Sequence, residues 1–199
     1  MSNAFIDHLK TRRTQYALGR DVTLSKDALT ALIQDAIKHS PSSFNSQSSR
    51  ALVLFGEENQ KLWRLAVDEV RKVAPAEGFE KTEAKLGSFA AGVGTVLYFE
   101  DQDVIKGLQD KFALYAEHFP VWSEQSSGMA QLAVWTALAS VDVGASLQHY
   151  NPVIDQAVAR EWNIPASWKL RAQMPFGSHG APFGEKTFMP DAERFRVAG

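Results

Sequence analysis

The sequence predicts an α/β fold in which helices flank a small sheet, within one domain spanning residues 1–199. Three observations lead there. Segments with helical periodicity outnumber the short apolar runs, and helices separate those runs, which favours a layered helix–sheet–helix arrangement. At 199 residues the chain can build one substantial core, whereas two compact domains would be a tight fit. No repeat, low-complexity tract or long linker divides it.

Taken in order, residues 4–11 read as a short helix with Phe5, Ile6 and Leu9 on one face. Ser25 is a candidate N-cap for a second helix, in which Leu29, Leu32, Ile33, Ala36 and Ile37 follow the i, i+3, i+4, i+7, i+8 pattern. Pro41 stops it and opens a loop dense in small polar residues. Residues 51–55 are a short apolar run, read as a buried strand. Residues 57–73 are helical, with Leu62, Leu65, Ala66, Val70 and Val73 inward. A second strand is expected over 94–99, then a helix over 103–116 and a long, mostly buried helix over 126–141. Residues 145–148 are short and extended. Residues 152–162 form a helix with proline in its first turn, 170–176 a strand, and the chain from Gly177 a Gly/Pro-rich tail.

Composition narrows the chemistry. Hydrophobic residues make up 45%, charged residues 22%, and the net charge is −2, so the surface as a whole is not a nucleic-acid footprint. The absence of cysteine excludes disulfides, thiolate nucleophiles and cysteine-ligated metal, and is compatible with a cytoplasmic location. The first residues carry no apolar signal-peptide core. The longest apolar stretch, 129–147, is interrupted by Gln131, Thr136, Ser140 and Asp142, so a buried helix is expected rather than a membrane span. The histidines show no HExxH or i, i+4 pair, and no protein-bound metal is expected. Gly92-Val93-Gly94 leads into a strand rather than a helix and so fails as a dinucleotide turn. There is no P-loop and no GxSxG elbow.

Two segments carry a positive signal. Arg12-Arg13-Thr14, where the first helix gives way to a loop, offers two guanidiniums and a hydroxyl that suit a terminal phosphate. The same residues also fit a solvated basic helix end. Pro41-Ser42-Ser43-Phe44-Asn45-Ser46-Gln47 is a loop rich in donors and acceptors, suited to the edge of a polar heterocycle or simply to a helix-to-strand connection. Phe112, Tyr115, Phe119 and Trp122 would either line a pocket for flat, hydrophobic molecules or pack in the core and at an interface between chains. Trp135, in the apolar run, is expected to be buried, at the core of any dimer the chain forms.

Together, about 30 residues apart with one amphipathic helix between them, these segments resemble the nitroreductase family of FMN flavoproteins. That family has an Arg-x-Ser pattern, matched by Arg12 and conservatively by Thr14, followed by Pro-Ser-x-x-Asn-x-Gln, matched by Pro41, Ser42, Asn45 and Gln47. Gly180-Ala181-Pro182, then Lys186 and Arg194, resembles the family's tail. The phrases SFNSQSSR, GTVLYFED, FPVWSEQSSGMAQ, LQHYNP and AQMPFG resemble a subgroup near the yeast-type fatty-acid-repression proteins.

The resemblance implies an α+β fold with a small central, mostly antiparallel sheet flanked by helices, in an intertwined homodimer. It implies FMN as cofactor, NADPH or NADH as electron donor, and a small-molecule oxidant such as a quinone or nitroaromatic, with neither nucleic acid nor membrane as partner. Arg12, Arg13 and Thr14 would approach the ribityl chain and phosphate, and Lys186 would return to the phosphate. Ser42, Ser43 and Asn45 would cover the partner's flavin edge, with Pro41 shaping the loop and Gln47 bracing it. Leu147, Gln148 and His149 would lie at the flavin N5 and O4, and Lys85 at the pyrimidine end. No catalytic side chain is implied, because the flavin takes hydride directly. Two departures stand out: Tyr16 replaces a further basic residue, and Gln148-His149 replaces a glycine-rich stretch. The Gln148 and His149 side chains would narrow the substrate face, or His149 would be a hydrogen-bonded structural histidine, the role favoured here. Two other classes stay open: a flavin-binding regulatory protein with little turnover, and a flavin-free hydrolase or transferase.

Overall fold

The computed structural model describes residues 3–199; Met1 and Ser2 lie outside the described residues. Its architecture follows from strand β3, Gly94–Asp101, which is buried along its whole length. Side chains on a strand alternate between faces, and here both faces are apolar. Val96 and Tyr98 join one core cluster, Leu97 and Phe99 the other. A central strand of this kind needs cover above and below.

Strand β2, Ser49–Phe55, pairs with one edge of β3, and β5, Trp168–His179, with the other. Two short strands, β1 (Leu18–Gly19) and β4 (Gly144–Ala145), both pair with β5. Every strand ladder is antiparallel, and the order is β1-β5-β3-β2 with β4 against β5. The helices between strands therefore do not impose a parallel sheet, and the fold is α+β.

One face is covered by α2, Lys26–Lys38, through Leu29 and Ile33, and by α6, Phe119–Ser140, through Val134 and Leu138. Ser25 caps α2, its Oγ accepting from the Ala28 N–H at 3.2 Å. The other face is covered by α3 (Gly56–Arg71), α4 (Phe79–Ala90) and α7 (Asp155–Glu161), through Leu62, Trp63, Leu86, Phe89 and Val158. Burying each of these side chains stabilises the fold by roughly 1.5–3 kcal/mol. The first helix, α1 (Ala4–Thr11), packs on α6 and buries none of its residues fully. Asn59, Trp63 and Thr95 form a buried hydrogen-bonded chain that closes the α3 side.

Several sequence expectations are corrected. Helix α4 is additional, as are β1 and the short α8, Asp191–Arg194. The expected 103–116 helix is α5, Gln102–Lys111, followed by a separate 3-10 turn, Ala113–Tyr115. Helix α6 begins at Phe119 rather than Ser126, with Pro120 in its first turn, where the missing N–H costs nothing. Pro152 lies in a turn ahead of α7 rather than inside that helix. Of the expected extended segment 145–148 only Ala145 is strand, joined in β4 by Gly144 just before the segment; Gln148 makes one isolated bridge to Gln173. Strand β5 runs three residues beyond Phe176, to His179. Val73, expected inward, lies past the end of α3 and is 67% exposed. No described helix is long and apolar enough to cross a membrane.

Candidate active site

Strand β4 brings the N-terminal segment to residues far along the chain. Thr14 forms a parallel bridge with Ala145, and the Gln15 N–H donates to the Ala145 carbonyl at 2.9 Å. Gly144 permits this approach: a Cβ there would lie 3.0 Å from Gln15 Cγ and 2.9 Å from His179 Nδ1. Gln15 is itself buried, and its Nε2 donates to the Ala181 carbonyl at 2.7 Å, tying the segment to the chain after β5.

The result is an open depression of about 460 Å³ lined by Arg12, Thr14, Gly128, Gln131, Leu132, Trp135 and Leu147. No acidic side chain lines it. Burial first, and then the adjacent Arg13, push the Arg12 pKa below its ordinary value. A half-buried guanidinium and a hydroxyl in a basin without carboxylates suit a phosphate, so these residues fit the terminal phosphate of a mononucleotide. Gly128, Gln131, Leu132 and Trp135 recur at helical spacing on one face of α6. That spacing is visible in the sequence, but nothing local there places this face of α6 beside Arg12.

The other predicted residues are distributed as follows. Arg13 turns away from the depression: its Nη2 donates to the Gly184 carbonyl at 2.7 Å and its Cζ lies 5.4 Å from the Phe183 ring centroid. Gln148 is buried and donates from Nε2 to Ser146 Oγ, so its side chain does not narrow a surface slot. His149 is exposed and makes no hydrogen bond among the described residues, which corrects the hydrogen-bonded structural role expected for it. Lys85 lies exposed on α4 with Nζ 5.7 Å from the Tyr16 ring centroid. Lys186 lies on the exposed tail with Nζ 5.1 Å from the Phe188 ring centroid, and no contact joins it to Arg12.

The 41–47 loop is on separate ground. Pro41 and Ser42 line a pocket of about 430 Å³ with Gln34, Lys38, Gln47 and Arg50. Within the loop, Ser42 Oγ accepts from the Gln47 N–H at 3.0 Å, which closes it. Phe44, Asn45 and Gln47 all have positive φ, at 57°, 50° and 49°. Such backbone costs non-glycine residues roughly 1–3 kcal/mol each and persists where surrounding structure enforces it. Here the enforcement is aromatic: the Phe44 ring packs against Phe112, Tyr115, Phe119 and Trp122, with centroids 4.8–6.3 Å away. That cluster therefore packs on its own chain's loop. Ser43 is half-buried, while Asn45 is exposed, presented outward by the clamp. Behind the loop, Ser48 and Ser49 both donate hydroxyl hydrogens to Glu100, which is fully buried. Burial raises the Glu100 pKa against the effect of those two hydrogen bonds.

A third surface joins these two regions. Phe5, Met129, Leu132 and Ala133 line an apolar depression of about 470 Å³ that also reaches Pro41. Phe5 is 62% exposed there, and Met129 and Leu132 are also exposed.

Comparison with known proteins gives a consistent result. The Nitroreductase family matches residues 9–178. HBN1 of Saccharomyces cerevisiae is 37% identical over 194 residues, covering 96% of each chain, and the nitroreductase FRM2 of the same yeast is 29% identical over 187 residues, covering 93% of each. The solved nitroreductase CinD from Lactococcus lactis, in complex with nicotinic acid, superposes with a TM-score of 0.91 at 54% identity, over 98% of this chain and 100% of that one. CinD was also solved with chloramphenicol and with 4-nitrophenol. A Desulfovibrio desulfuricans protein solved with FMN shares the fold at 20% identity and a TM-score of 0.70, over 100% of this chain and 99% of that one.

Proposed function

Because the chain belongs to the nitroreductase family, in the subgroup of HBN1 and FRM2, we propose that it is an FMN-dependent NAD(P)H oxidoreductase working as a homodimer. The observation that carries this reading is the Arg12–Thr14–Leu147 depression, a basin free of carboxylates around a half-buried guanidinium. When bound, FMN supplies hydride acceptance from a reduced nicotinamide and hydride donation to an oxidant that later occupies the same slot, in ping-pong fashion. The ligands of CinD support both halves: nicotinic acid carries the nicotinamide's pyridine ring, and chloramphenicol and 4-nitrophenol are nitroaromatics.

The chain's own residues bind and orient. Arg12 offers charge-assisted hydrogen bonds to the phosphate, and Thr14 adds a hydroxyl beside it. Backbone groups of Leu147 and His149 would offer polar contacts to the ring, while Gln148, whose N–H and carbonyl are both paired with Gln173, would hold that segment in place against β5. Arg13 holds the tail through the Gly184 carbonyl, Lys186 contacts only Phe188 within the tail itself, and both would reach the phosphate if the tail rearranges. Lys85 contributes to the pyrimidine end from α4. No side chain is assigned an acid–base step, since solvent supplies protons.

Homodimerisation is supported by the exposed apolar face of α1 and α6 and by a tail with Phe188, Met189 and Phe195 uncovered. Exposed apolar patches of this kind mark interaction surfaces. In the proposed dimer the loop of one protomer presents Ser42, Ser43 and Asn45 to the flavin of the other, which agrees with the loop and Arg12 lining separate pockets of one chain.

The test is to purify the protein, release any cofactor by heat and identify it by chromatography. FMN at about one per protomer is expected. Recovery of FAD alone, or no uptake of micromolar FMN, overturns the reading.

A further inference from the structure

We propose that Trp135 is a positioning residue for the flavin phosphate, its indole face holding the Arg12 guanidinium at the depression while leaving that group's N–H donors free. The inference rests on the FMN reading above. It starts from the way Arg12 is held. Its Cζ lies 4.4 Å from the Trp135 ring centroid. Among the described residues its guanidinium makes no hydrogen bond and no ion pair. Other half-buried arginines are tied differently: Arg50 to Asp101 and the Gln47 carbonyl, Arg171 to Glu124, Arg13 to the Gly184 carbonyl.

The difference matters for an anion site. A carboxylate would fix Arg12 firmly, but it would occupy the donors and cancel the charge that an incoming phosphate needs. An aliphatic wall would leave donors and charge free but would let the side chain swing into water. An aromatic face does neither. It attracts the cation through the ring quadrupole, and the planar guanidinium keeps five N–H donors at its edge.

The choice of tryptophan carries a cost that calls for a reason. Its Nε1 is enclosed in the protomer with no hydrogen-bond partner among the described residues, and an enclosed donor without an acceptor is destabilising. Phenylalanine or leucine would pack against the edge of the α2–α6 core without that cost. What tryptophan adds over both is the largest and strongest cation-binding face.

The experiment titrates the full-length protein, freed of bound flavin, with FMN while following flavin fluorescence. Wild type, Trp135→Leu, Trp135→Phe, Arg12→Ala and the double variant Arg12→Ala/Trp135→Leu are compared, and riboflavin, which lacks the phosphate, is titrated in parallel. Trp135→Leu is expected to weaken FMN about 3- to 10-fold, within the range of cation–π attraction. Trp135→Phe should restore most of that affinity, riboflavin binding should be unchanged, and in the Arg12→Ala background the leucine substitution should add nothing. Equal losses for FMN and riboflavin, or the same loss with and without Arg12, mean that Trp135 only packs and overturn the proposal. If Trp135→Leu fails to fold, Trp135→Met replaces it against the phenylalanine variant, and equal FMN affinities for those two overturn it as well. Failure of the wild-type protein to bind FMN overturns the cofactor reading, and this inference with it. Phosphate-independent losses in a wild type that binds FMN overturn this inference alone.

Discussion

Replacing Arg12 with alanine should weaken FMN binding far more than replacing Arg13, although the two are adjacent and equally charged. Arg12 lines the depression beside Thr14 and is partly withdrawn from solvent. Its interaction with a phosphate is therefore screened less than that of an exposed pair. A hydrogen bond to a charged group contributes roughly 1.5–3 kcal/mol. At about 1.4 kcal/mol per tenfold, its loss raises the FMN dissociation constant about 10- to 150-fold. Arg13 is directed to the Gly184 carbonyl and the Phe183 ring. Its removal loosens the tail and should leave FMN affinity within about threefold, the effect of one ordinary hydrogen bond at the weak end of its range. Fluorescence titration of both variants at one ionic strength reads the difference. Equal and negligible losses would show that the Arg12-Arg13 pair is a solvated helix end, and a larger loss for Arg13 would show that the phosphate is held on the tail side.

Two further outcomes follow from the same geometry. A shared site predicts complementation: Arg12→Ala and Asn45→Ala homodimers each lack an intact site, while mixed dimers regain one. Flavin binding and NAD(P)H oxidation after subunit exchange measure this, and no recovery in verified mixed dimers shows that each chain builds its site alone. Glu100 predicts a pH dependence of unusual sign. Its folded-state pKa is raised, chiefly by burial, so between the ordinary carboxylate range and the raised folded value the folded protein retains a proton that the unfolded chain has released. Stability then falls as pH rises through that window. Wild type should therefore lose stability relative to Glu100→Gln as pH rises above the ordinary glutamate range, and urea unfolding across pH checks it. A difference that is flat, or opposite in sign, contradicts the desolvated carboxyl.

Much of the fold was legible because the periodicities are clean. Leu29 and Ile33 on α2 face the sheet, as their spacing predicts, and Ser25 caps that helix. Helix α4 escaped because its buried residues Phe79, Leu86 and Phe89 are widely spaced and its N-cap is Gly78, whose side chain offers no acceptor. The start of α6 escaped because Phe119 and Trp122 read as an aromatic junction, although Pro120 was a helix-start signal. The site was legible only through resemblance. Arg12 and Leu147 meet because of the Thr14–Ala145 bridge, and no local pattern encodes the register of so distant a pairing. The aromatic clamp on Phe44 was likewise hidden, since its positive φ depends on rings that follow about 70 residues later.

The most direct test of the proposed activity is anaerobic reduction of the FMN-loaded protein. One equivalent of NADPH or NADH is mixed with it while the visible flavin band is followed, and a nitroaromatic or quinone is then added. At least one donor is expected to bleach the band, and the acceptor to restore it with consumption of the donor's equivalents. A bound flavin that neither donor reduces would contradict it and would favour a flavin-binding protein without turnover.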